Sequence, residues 1–171
     1  MPTIHSFDPI EPASAKVLIL GSMPGKASLR AQRYYAHPRN AFWPIMARLL
    51  GFAAELPYEQ RVAAVQAAGV GLWDVLAACT RESSLDSDII ESSIVPNDFP
   101  AWFERHPHTK AVFCNGTKAY DSYRKHVIPR LAPSFAALPL TRLPSTSPAH
   151  ASLTANAKFD TWSVVNNYLI G

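Results

Sequence analysis

The sequence predicts an α/β protein: a single domain of three layers, with helices on both faces of a central, mostly parallel sheet of four strands. The run Val17–Leu20 is apolar without interruption, as in a parallel strand that is covered on both faces. Strand-like and helix-like segments then alternate along the chain, the order that produces a parallel sheet with crossover helices. With 171 residues, 48% of them hydrophobic, residues 1–171 have the size of one domain with a sizeable core.

Each predicted element is a hydrophobic pattern bounded by a residue that starts or stops it. Helices begin where Pro, Asn or Asp suits the first turn, and two of them end at Gly. Strands are short apolar runs, and the polar segment Thr80–Glu91 is predicted to be a loop. In chain order the expected elements are a strand at 17–20, a helix from Trp43 to Gly51, a helix from Pro57 to Gly69, a strand at 70–76, a short helix at 96–105 capped by Asn97 or Asp98, a strand at 110–114, a helix at 116–127, a strand at 135–143 and a helix at 158–170.

Composition excludes several classes of protein. The N-terminal residues lack a basic stretch followed by an apolar one, and no run of about 18 uncharged apolar residues occurs, so a cytoplasmic protein without a membrane span is predicted. Cys79 and Cys114 are too few for a four-thiolate metal site, and as a pair they indicate buried small side chains. We therefore expect no metal and no redox cofactor.

The net charge of +3 hides an uneven arrangement of charges. No acidic residue occurs in Pro12–Ala54 or in Ser122–Phe159, whereas ten of the thirteen acidic residues lie in Glu55–Asp121. If folding brings the two acid-free segments together, they form one positive face that suits a polyanion. Their cations are Lys16, Lys26, Arg30, Arg33, Arg39, Arg48, Arg124, Lys125, Arg130, Arg142 and Lys158.

Three loops of unusual composition should meet at one edge of the sheet, because ligands of open α/β sheets bind beyond the carboxyl ends of the strands. These loops are Ser22–Ala41, Asn115–Thr117 and Pro144–Ser152. The first combines basic residues with Tyr34 and Tyr35, and basic groups bind phosphates while aromatic rings stack on bases. This composition indicates a nucleic-acid pocket.

Three motifs in these loops resemble those of the uracil-DNA glycosylase superfamily, and most closely its hypoxanthine-DNA (deoxyinosine) glycosylase branch. They are GSMPG at 21–25, YYAHPRNAFW at 34–43 and LPSTSPAHA at 143–151, and the resemblance extends from about Val17 to Trp162. The mismatch-specific uracil branch has an Asn in the first motif where this chain has Met23. In the hypoxanthine branch, the Asn of the second motif is thought to be essential, and here it is Asn40.

The resemblance implies a monofunctional enzyme that flips a deaminated base out of double-stranded DNA and hydrolyses its N-glycosidic bond. Asn40 would be catalytic: its carbonyl can hold a water, and its NH2 can donate to a base heteroatom. We expect a monomer that is nucleoid-associated when bound to DNA. The predicted base-binding residues are Ser22, Met23, Pro24, Tyr35 and Asn115, with Tyr35 stacking on the base. The predicted DNA-binding residues are Lys26, Arg39, Ser145, Thr146, Ser147 and His150, with 147–150 forming the tip that enters the minor groove.

Several residues have a structural interpretation beside the functional one. Asn40 could cap a helix, although Pro44 argues that the helix starts later. Asn115 could read a base edge or cap the helix that follows it, His37 could brace its loop, and Tyr34 could be a core aromatic residue. Among the acidic residues near strand ends, Asp74 stays unassigned, whereas Asp86 and Asp88 are predicted to lie in a solvated loop.

Three other functions are consistent with parts of the sequence. Removal of uracil or thymine from mismatches would use the same scaffold. A nucleic-acid-binding module without catalysis would explain the loss of an amide at Met23. A small esterase or metal hydrolase would need a catalytic triad or a His cluster, and Ser22 lacks the GxSxG turn.

Overall fold

The computed structural model describes residues 2–150 and 152–169, and it contains two sheets. The strands are β1 (Thr3–His5), β2 (Val17–Gly21), β3 (Val70–Asp74), β4 (Leu76–Thr80), β5 (Val95–Pro96), β6 (Ala111–Asn115) and β7 (Leu140–Leu143). The α-helices are α1 (Lys26–Ala31), α2 (Phe42–Leu50), α3 (Tyr58–Ala67), α4 (Phe99–Arg105), α5 (Thr117–Ser122), α6 (Pro133–Ala136) and α7 (Ala155–Trp162). Short 3-10 turns occupy Asp86–Asp88, Glu91–Ser93, Ile128–Arg130 and Ser163–Tyr168, and a π turn occupies Tyr123–Val127.

The main sheet has four parallel strands in the order β3-β2-β6-β7, which confirms the predicted fold class. The register places Gly21 beside Asp74 and Asn115 beside Leu143. The carboxyl ends of all four strands therefore lie along one edge of the sheet, and the side chains that follow them are brought together.

Two hydrophobic cores cover the two faces of this sheet. Leu18 and Leu20 of β2 pack in one core with residues that include Trp102 of α4. Val17 and Ile19 pack in the other, which includes aromatic residues of α2 and α7. Because successive side chains of a strand point to opposite faces, burial on both sides explains why β2 is apolar at every position.

The helix boundaries agree closely with the sequence signals. Helix α2 begins at Phe42, one residue before the predicted start, and ends at Leu50. Gly51 is its C-cap, with a φ of 78° in the left-handed conformation that favours glycine. Asp98 is the cap of α4, since its side chain accepts a hydrogen bond from Ala101 N–H at 3.1 Å. The last predicted helix covers 158–170, but the α-helix starts at Ala155 and continues after Trp162 as a 3-10 turn; residue 170 lies outside the described residues.

Three parts of the fold were not predicted. The predicted strand at 70–76 is divided at Val75, and its continuation forms a small antiparallel sheet in the order β1-β4-β5. Helix α1 occupies part of the loop after β2. The predicted strand at 135–143 is shorter, because Phe135 belongs to α6. These elements are two to six residues long, too short for a clear hydrophobic period. Within the described chain, no helix has the length and apolar character needed to cross a membrane.

Candidate functional site

A cleft of about 1100 Å³ opens at the carboxyl edge of the main sheet. All three predicted loops contribute to its lining, through residues in 21–28, 34–40, 115–118 and 142–150. The acidic segment 84–89 also lines the cleft, which the sequence pattern did not predict. Asp74, Asp121 and Leu153 complete the lining, so the cleft is built by parts of the chain that lie far apart in the sequence.

The GSMPG turn is held in place by the loop that follows β4. Ser22 donates its hydroxyl hydrogen to Asp86 Oδ1 at 2.6 Å, and Pro24 accepts a hydrogen bond from Arg81 Nη2 at 2.6 Å. Met23 is buried in the core, and it lines the cleft together with Ser22 and Pro24. Ser22 thus has an Asp partner, but the described residues show no His between them, so this pair does not form the triad of a hydrolase.

Lys26 and Arg142 lie on the rim of the cleft with exposed side chains. Arg39 is exposed beside Asn40. In the part of the chain that the structure describes, none of these three cations forms an ion pair, so their charges stay available to a polyanion. The two acid-free segments are indeed brought together here, and the rim of the cleft is basic. Lys158 is different, because its buried ammonium group donates to the carbonyl of His150 at 2.7 Å.

Tyr35 has an unusual backbone conformation that turns its ring toward the cleft. Its φ is +55°, a left-handed value that is rare for a bulky residue. The ring stacks on Phe42, with centroids 3.9 Å apart and an angle of 20° between the planes. Tyr34, by contrast, is buried and donates its hydroxyl hydrogen to the Asp8 carbonyl at 2.8 Å, which fits its interpretation as a core residue.

Asn40 lines the cleft, and its side chain binds the first residue of α2, whose N-cap position is Ala41. Its Oδ1 accepts a hydrogen bond from Phe42 N–H at 2.9 Å. Because an N–H group can only donate, this contact defines which end of the amide is the oxygen. Pro44 is the third residue of α2, in the first turn, where N–H groups have no helical partner. In the described chain no side chain caps α2, so Asn40 is not the helix cap. The Asn40 NH2 group makes no hydrogen bond within residues 2–150 and 152–169 and is available to a ligand.

His37 braces the loop between Tyr35 and Asn40. Its Nδ1 accepts a hydrogen bond from Arg39 N–H at 3.1 Å, and Asn40 N–H donates to its carbonyl at 2.9 Å. The ring lines the cleft as well. These contacts agree with the structural interpretation, in which His37 braces its loop.

Asn115 and Thr146 form a reciprocal pair that joins two of the predicted loops. Asn115 Nδ2 donates to Thr146 Oγ1 at 2.9 Å, and Thr146 N–H donates to Asn115 Oδ1 at 3.0 Å. The Thr146 carbonyl also accepts from Ala41 N–H at 3.0 Å, which adds the loop before α2. Asn115 does not cap α5, whose N-terminal position is Gly116 with no side-chain cap.

Thr146, a predicted phosphate-binding residue, is buried by contacts within the chain. The residue is 1% exposed, and both its hydroxyl and its N–H are bonded to Asn115. The neighbouring serines form local turns instead: Ser145 Oγ accepts from Ser147 N–H at 3.1 Å, and Ser147 Oγ accepts from Ala149 N–H at 3.2 Å. Both serines line the cleft, and the exposed His150 stands at its rim.

Three acidic residues line the cleft: Asp74 and Asp86, which lie inside it, and Asp121, which is exposed. Burial raises the pKa of Asp74 to about 7, and the negative charge of Asp86 adds to this effect. Burial also raises the pKa of Asp86. Asp86 is half-buried, so the predicted solvated loop is wrong for this residue, whereas Asp88 is exposed as predicted. A sequence signal for Asp74 did exist, because it is the only charged residue of an otherwise apolar strand.

Residues 7–169 match the family model of the uracil DNA glycosylase superfamily, and the chain belongs to this superfamily. The fold and the family thus define it as a DNA glycosylase, as the motifs predicted. Within the described residues, no group of three or more His, Cys, Asp or Glu side chains could hold a metal ion.

Two archaeal relatives connect the chain to the predicted branch. A hypoxanthine DNA glycosylase of Methanosarcina barkeri (strain Fusaro / DSM 804) is 36% identical over 116 residues, which cover 67% of this chain and 72% of the relative. The hypoxanthine DNA glycosylase of Methanosarcina acetivorans gives the same identity and coverage. A solution NMR structure of a candidate uracil DNA glycosylase from M. acetivorans superposes with a TM-score of 0.81 at 31% identity, covering 98% of this chain and 99% of that one.

Proposed function

We propose that this protein removes hypoxanthine from deoxyinosine in double-stranded DNA and leaves an abasic site. The observation that carries this proposal is the Asn40 amide, which is held by Phe42 N–H at the wall of the cleft with its NH2 group free. The names of the two Methanosarcina relatives support hypoxanthine as the base. The match over residues 7–169 supports one glycosylase domain. The monomeric state and the place of action, the cytoplasm and its nucleoid DNA, stay predictions.

The reaction replaces the bond between the sugar C1′ and the base nitrogen by a bond between C1′ and the oxygen of water. The bonding electrons leave with the base, which takes up a proton, and the attacking water loses one. Negative charge therefore develops on the base while positive charge develops on the sugar. The Asn40 NH2 can donate to the departing base, and its Oδ1 keeps one lone pair for a water.

The cleft also suits a flipped nucleotide. Tyr35 offers a ring whose opposite face is supported by Phe42, and stacking on an aromatic ring is worth about 1–3 kcal/mol per base. Lys26 and Arg142 are placed on the rim, where the phosphates of a bound duplex would pass. A mispaired base costs less to turn out of the helix, which favours deaminated bases over paired ones.

A pair of Asn40 variants separates catalysis from the hydrogen bond that holds the start of α2. Asn40→Ser keeps an oxygen that can accept from Phe42 N–H but lacks the amide, whereas Asn40→Ala lacks both. We expect both variants to lose excision of hypoxanthine by about 10²–10³-fold, the usual effect of removing one positioned donor. Only Asn40→Ala should also lose about 0.5–1.5 kcal/mol of unfolding free energy, the value of one hydrogen bond.

The assay is gel cleavage of a labelled duplex that contains a single deoxyinosine, with alkali added after incubation. A monofunctional enzyme gives strand breaks only after the alkali step. If Asn40→Ser released hypoxanthine as fast as the unaltered protein, the amide would not be the catalytic group. If the unaltered protein released no base from any duplex, a nucleic-acid-binding module would be favoured.

Uracil is the second candidate base, because the M. acetivorans structure with a TM-score of 0.81 is described as a candidate uracil DNA glycosylase. The same gel assay with uracil opposite guanine or adenine compares the two bases directly. Faster release of uracil than of hypoxanthine would assign the chain to the alternative substrate.

A further inference from the structure

Asp74 ends β3 at the floor of the cleft, and the fold leaves space there for its carboxylate. The register sets Asp74 beside Gly21, and a Cβ added to Gly21 would lie only 2.5 Å from Asp74 Oδ1. The end of the strand is locked, since the Asp74 carbonyl accepts a hydrogen bond from Asn97 Nδ2 at 2.7 Å. Because Gly21 has no Cβ, the Asp74 side chain fits beside it, whereas any other residue at position 21 would displace that side chain.

The carboxylate is buried without adequate partners inside the protein. Asp74 is 4% exposed, and its Oδ2 accepts no hydrogen bond from the described residues. The nearby Arg81 forms no ion pair with it and donates to the Pro24 carbonyl instead, while Asp86 adds a like charge. The Tyr35 hydroxyl is also buried without a partner, and it would lie 3.2 Å from the same added Cβ. A buried carboxylate is costly unless it is paired, so this group is a candidate for pairing with a ligand.

Deamination changes a base in a way that a carboxylate can detect. Hypoxanthine carries a hydrogen on ring nitrogen N1, and uracil carries one on N3, so both offer a donor. Adenine and cytosine offer a lone pair at the same ring position. Above its pKa of about 7, the Asp74 carboxyl group is ionised and only accepts hydrogen bonds, so it attracts the first pair of bases and repels the second.

We propose that Asp74 reads the protonated ring nitrogen of the flipped base and thereby rejects adenine. The inference rests on the proposed function, because it assigns a substrate-recognition contact within the same cleft. Asp74 is then a specificity-determining residue that touches the base, on the floor below the aromatic wall of Tyr35.

The test compares binding of two duplexes that the protein cannot cleave. One contains 2′-fluoro-deoxyinosine and the other 2′-fluoro-deoxyadenosine, each opposite an abasic spacer, so that neither base is paired. Fluorescence anisotropy gives the ratio of the two dissociation constants for the unaltered protein and for Asp74→Asn, Asp74→Leu and Asp88→Asn. Asp88 is the matched control, since it is exposed and does not line the cleft.

We expect the preference for the inosine duplex to fall by about 10- to 100-fold in Asp74→Asn, because an amide can present either an acceptor or a donor to the base. Asp74→Leu should also lose the preference, through weaker binding of the inosine duplex. Asp88→Asn should keep the preference of the unaltered protein. If Asp74→Asn and Asp74→Leu both bind the duplexes and keep that preference within about twofold, the inference is overturned.

Failure of the proposed function gives a different result. A protein that releases no hypoxanthine in the gel assay, but whose preference for inosine disappears in Asp74→Asn, would contradict the catalytic proposal and support the recognition by Asp74. Circular dichroism of each variant identifies a folding defect. If Asp74→Leu fails to fold, Asp74→Asn, which has the same side-chain shape as the unaltered residue, tests the inference by itself.

Discussion

Tyr35 combines a strained backbone with a well-supported ring. A left-handed conformation costs a non-glycine residue roughly 1–2 kcal/mol, and here φ is +55°. The ring contact with Phe42 at 3.9 Å and the loop braced by His37 hold the conformation in place. Strain of this kind persists where the surrounding structure over-determines it, which is common at functional sites.

Two Tyr35 variants test the stacking role. Tyr35→Ala should lower hypoxanthine excision by about 10–100-fold, because one base-stacking contact of about 1–3 kcal/mol is lost. Tyr35→Phe should lose clearly less, since it keeps the ring on Phe42 and removes only a hydroxyl that has no partner in the described chain. Single-turnover rates on the inosine duplex give both values. Equal losses in the two variants would show that the hydroxyl, and not the ring, carries the effect.

At the scale of elements, the loops of the site depend on one another. The Asn115–Thr146 pair joins the end of β6 to the loop after β7, and Ala41 N–H links that loop to the start of α2. Trp162 of α7 adds a hydrogen bond from its Nε1 to the Pro144 carbonyl at 2.9 Å. Asn40 is thus positioned by contacts that involve the carboxyl edge of the sheet and the helices α2 and α7 on one of its faces.

Removal of the Thr146 hydroxyl should weaken this connection. In Thr146→Val, the Asn115 Nδ2 group is left buried without its acceptor, so we expect a loss of about 1–3 kcal/mol of unfolding free energy. Thr146→Ser keeps the acceptor and should lose about 0.8 kcal/mol, the value of one buried methyl group. Urea denaturation of both variants measures the difference. A Thr146→Val protein as stable as Thr146→Ser would mean that the hydroxyl contact contributes nothing.

On the scale of the whole molecule, charge is separated between the rim of the cleft and its floor. Lys26 and Arg142 stand on the rim, while Asp74 and Asp86 lie inside. The cations of the rim attract the phosphates of a duplex. The carboxylates inside the cleft, when ionised, repel a phosphate and accept hydrogen bonds from a base. This arrangement fits a protein that binds the backbone outside and a neutral base within.

The salt dependence of DNA binding reports on the rim. Lys26→Ala and Arg142→Ala should each make the slope of log Kd against log salt concentration smaller by about 1, because each phosphate contact releases about one counterion. Arg130→Ala is the matched control, since Arg130 is exposed but does not line the cleft. Anisotropy titrations between low and moderate salt measure the slopes. Slopes that stay unchanged in Lys26→Ala and Arg142→Ala would remove the rim from the DNA interface.

The sequence alone determined the features that local pattern can encode. The apolar run of β2 predicted the buried parallel strand, and the alternation of elements predicted the α/β class. Gly51 marked the end of α2, and Asn97 or Asp98 marked the start of α4, where the structure selects Asp98. The order and spacing of three motifs predicted the superfamily, and the strand ends predicted which loops would meet. These signals depend on residues close to one another in the chain.

Only the tertiary structure decided how the loops engage each other. The Ser22 hydroxyl meets Asp86 across 64 positions, and Asn115 meets Thr146 across 31, so no local pattern could reveal that one loop folds onto the cleft or that a predicted phosphate contact is buried. The same holds for Asp74: the sequence predicts its place at the end of β3, but not that its carboxylate oxygen Oδ2 lacks a hydrogen-bond partner among the described residues. The physical reason is that burial and hydrogen-bond satisfaction are properties of packing, which distant segments create together.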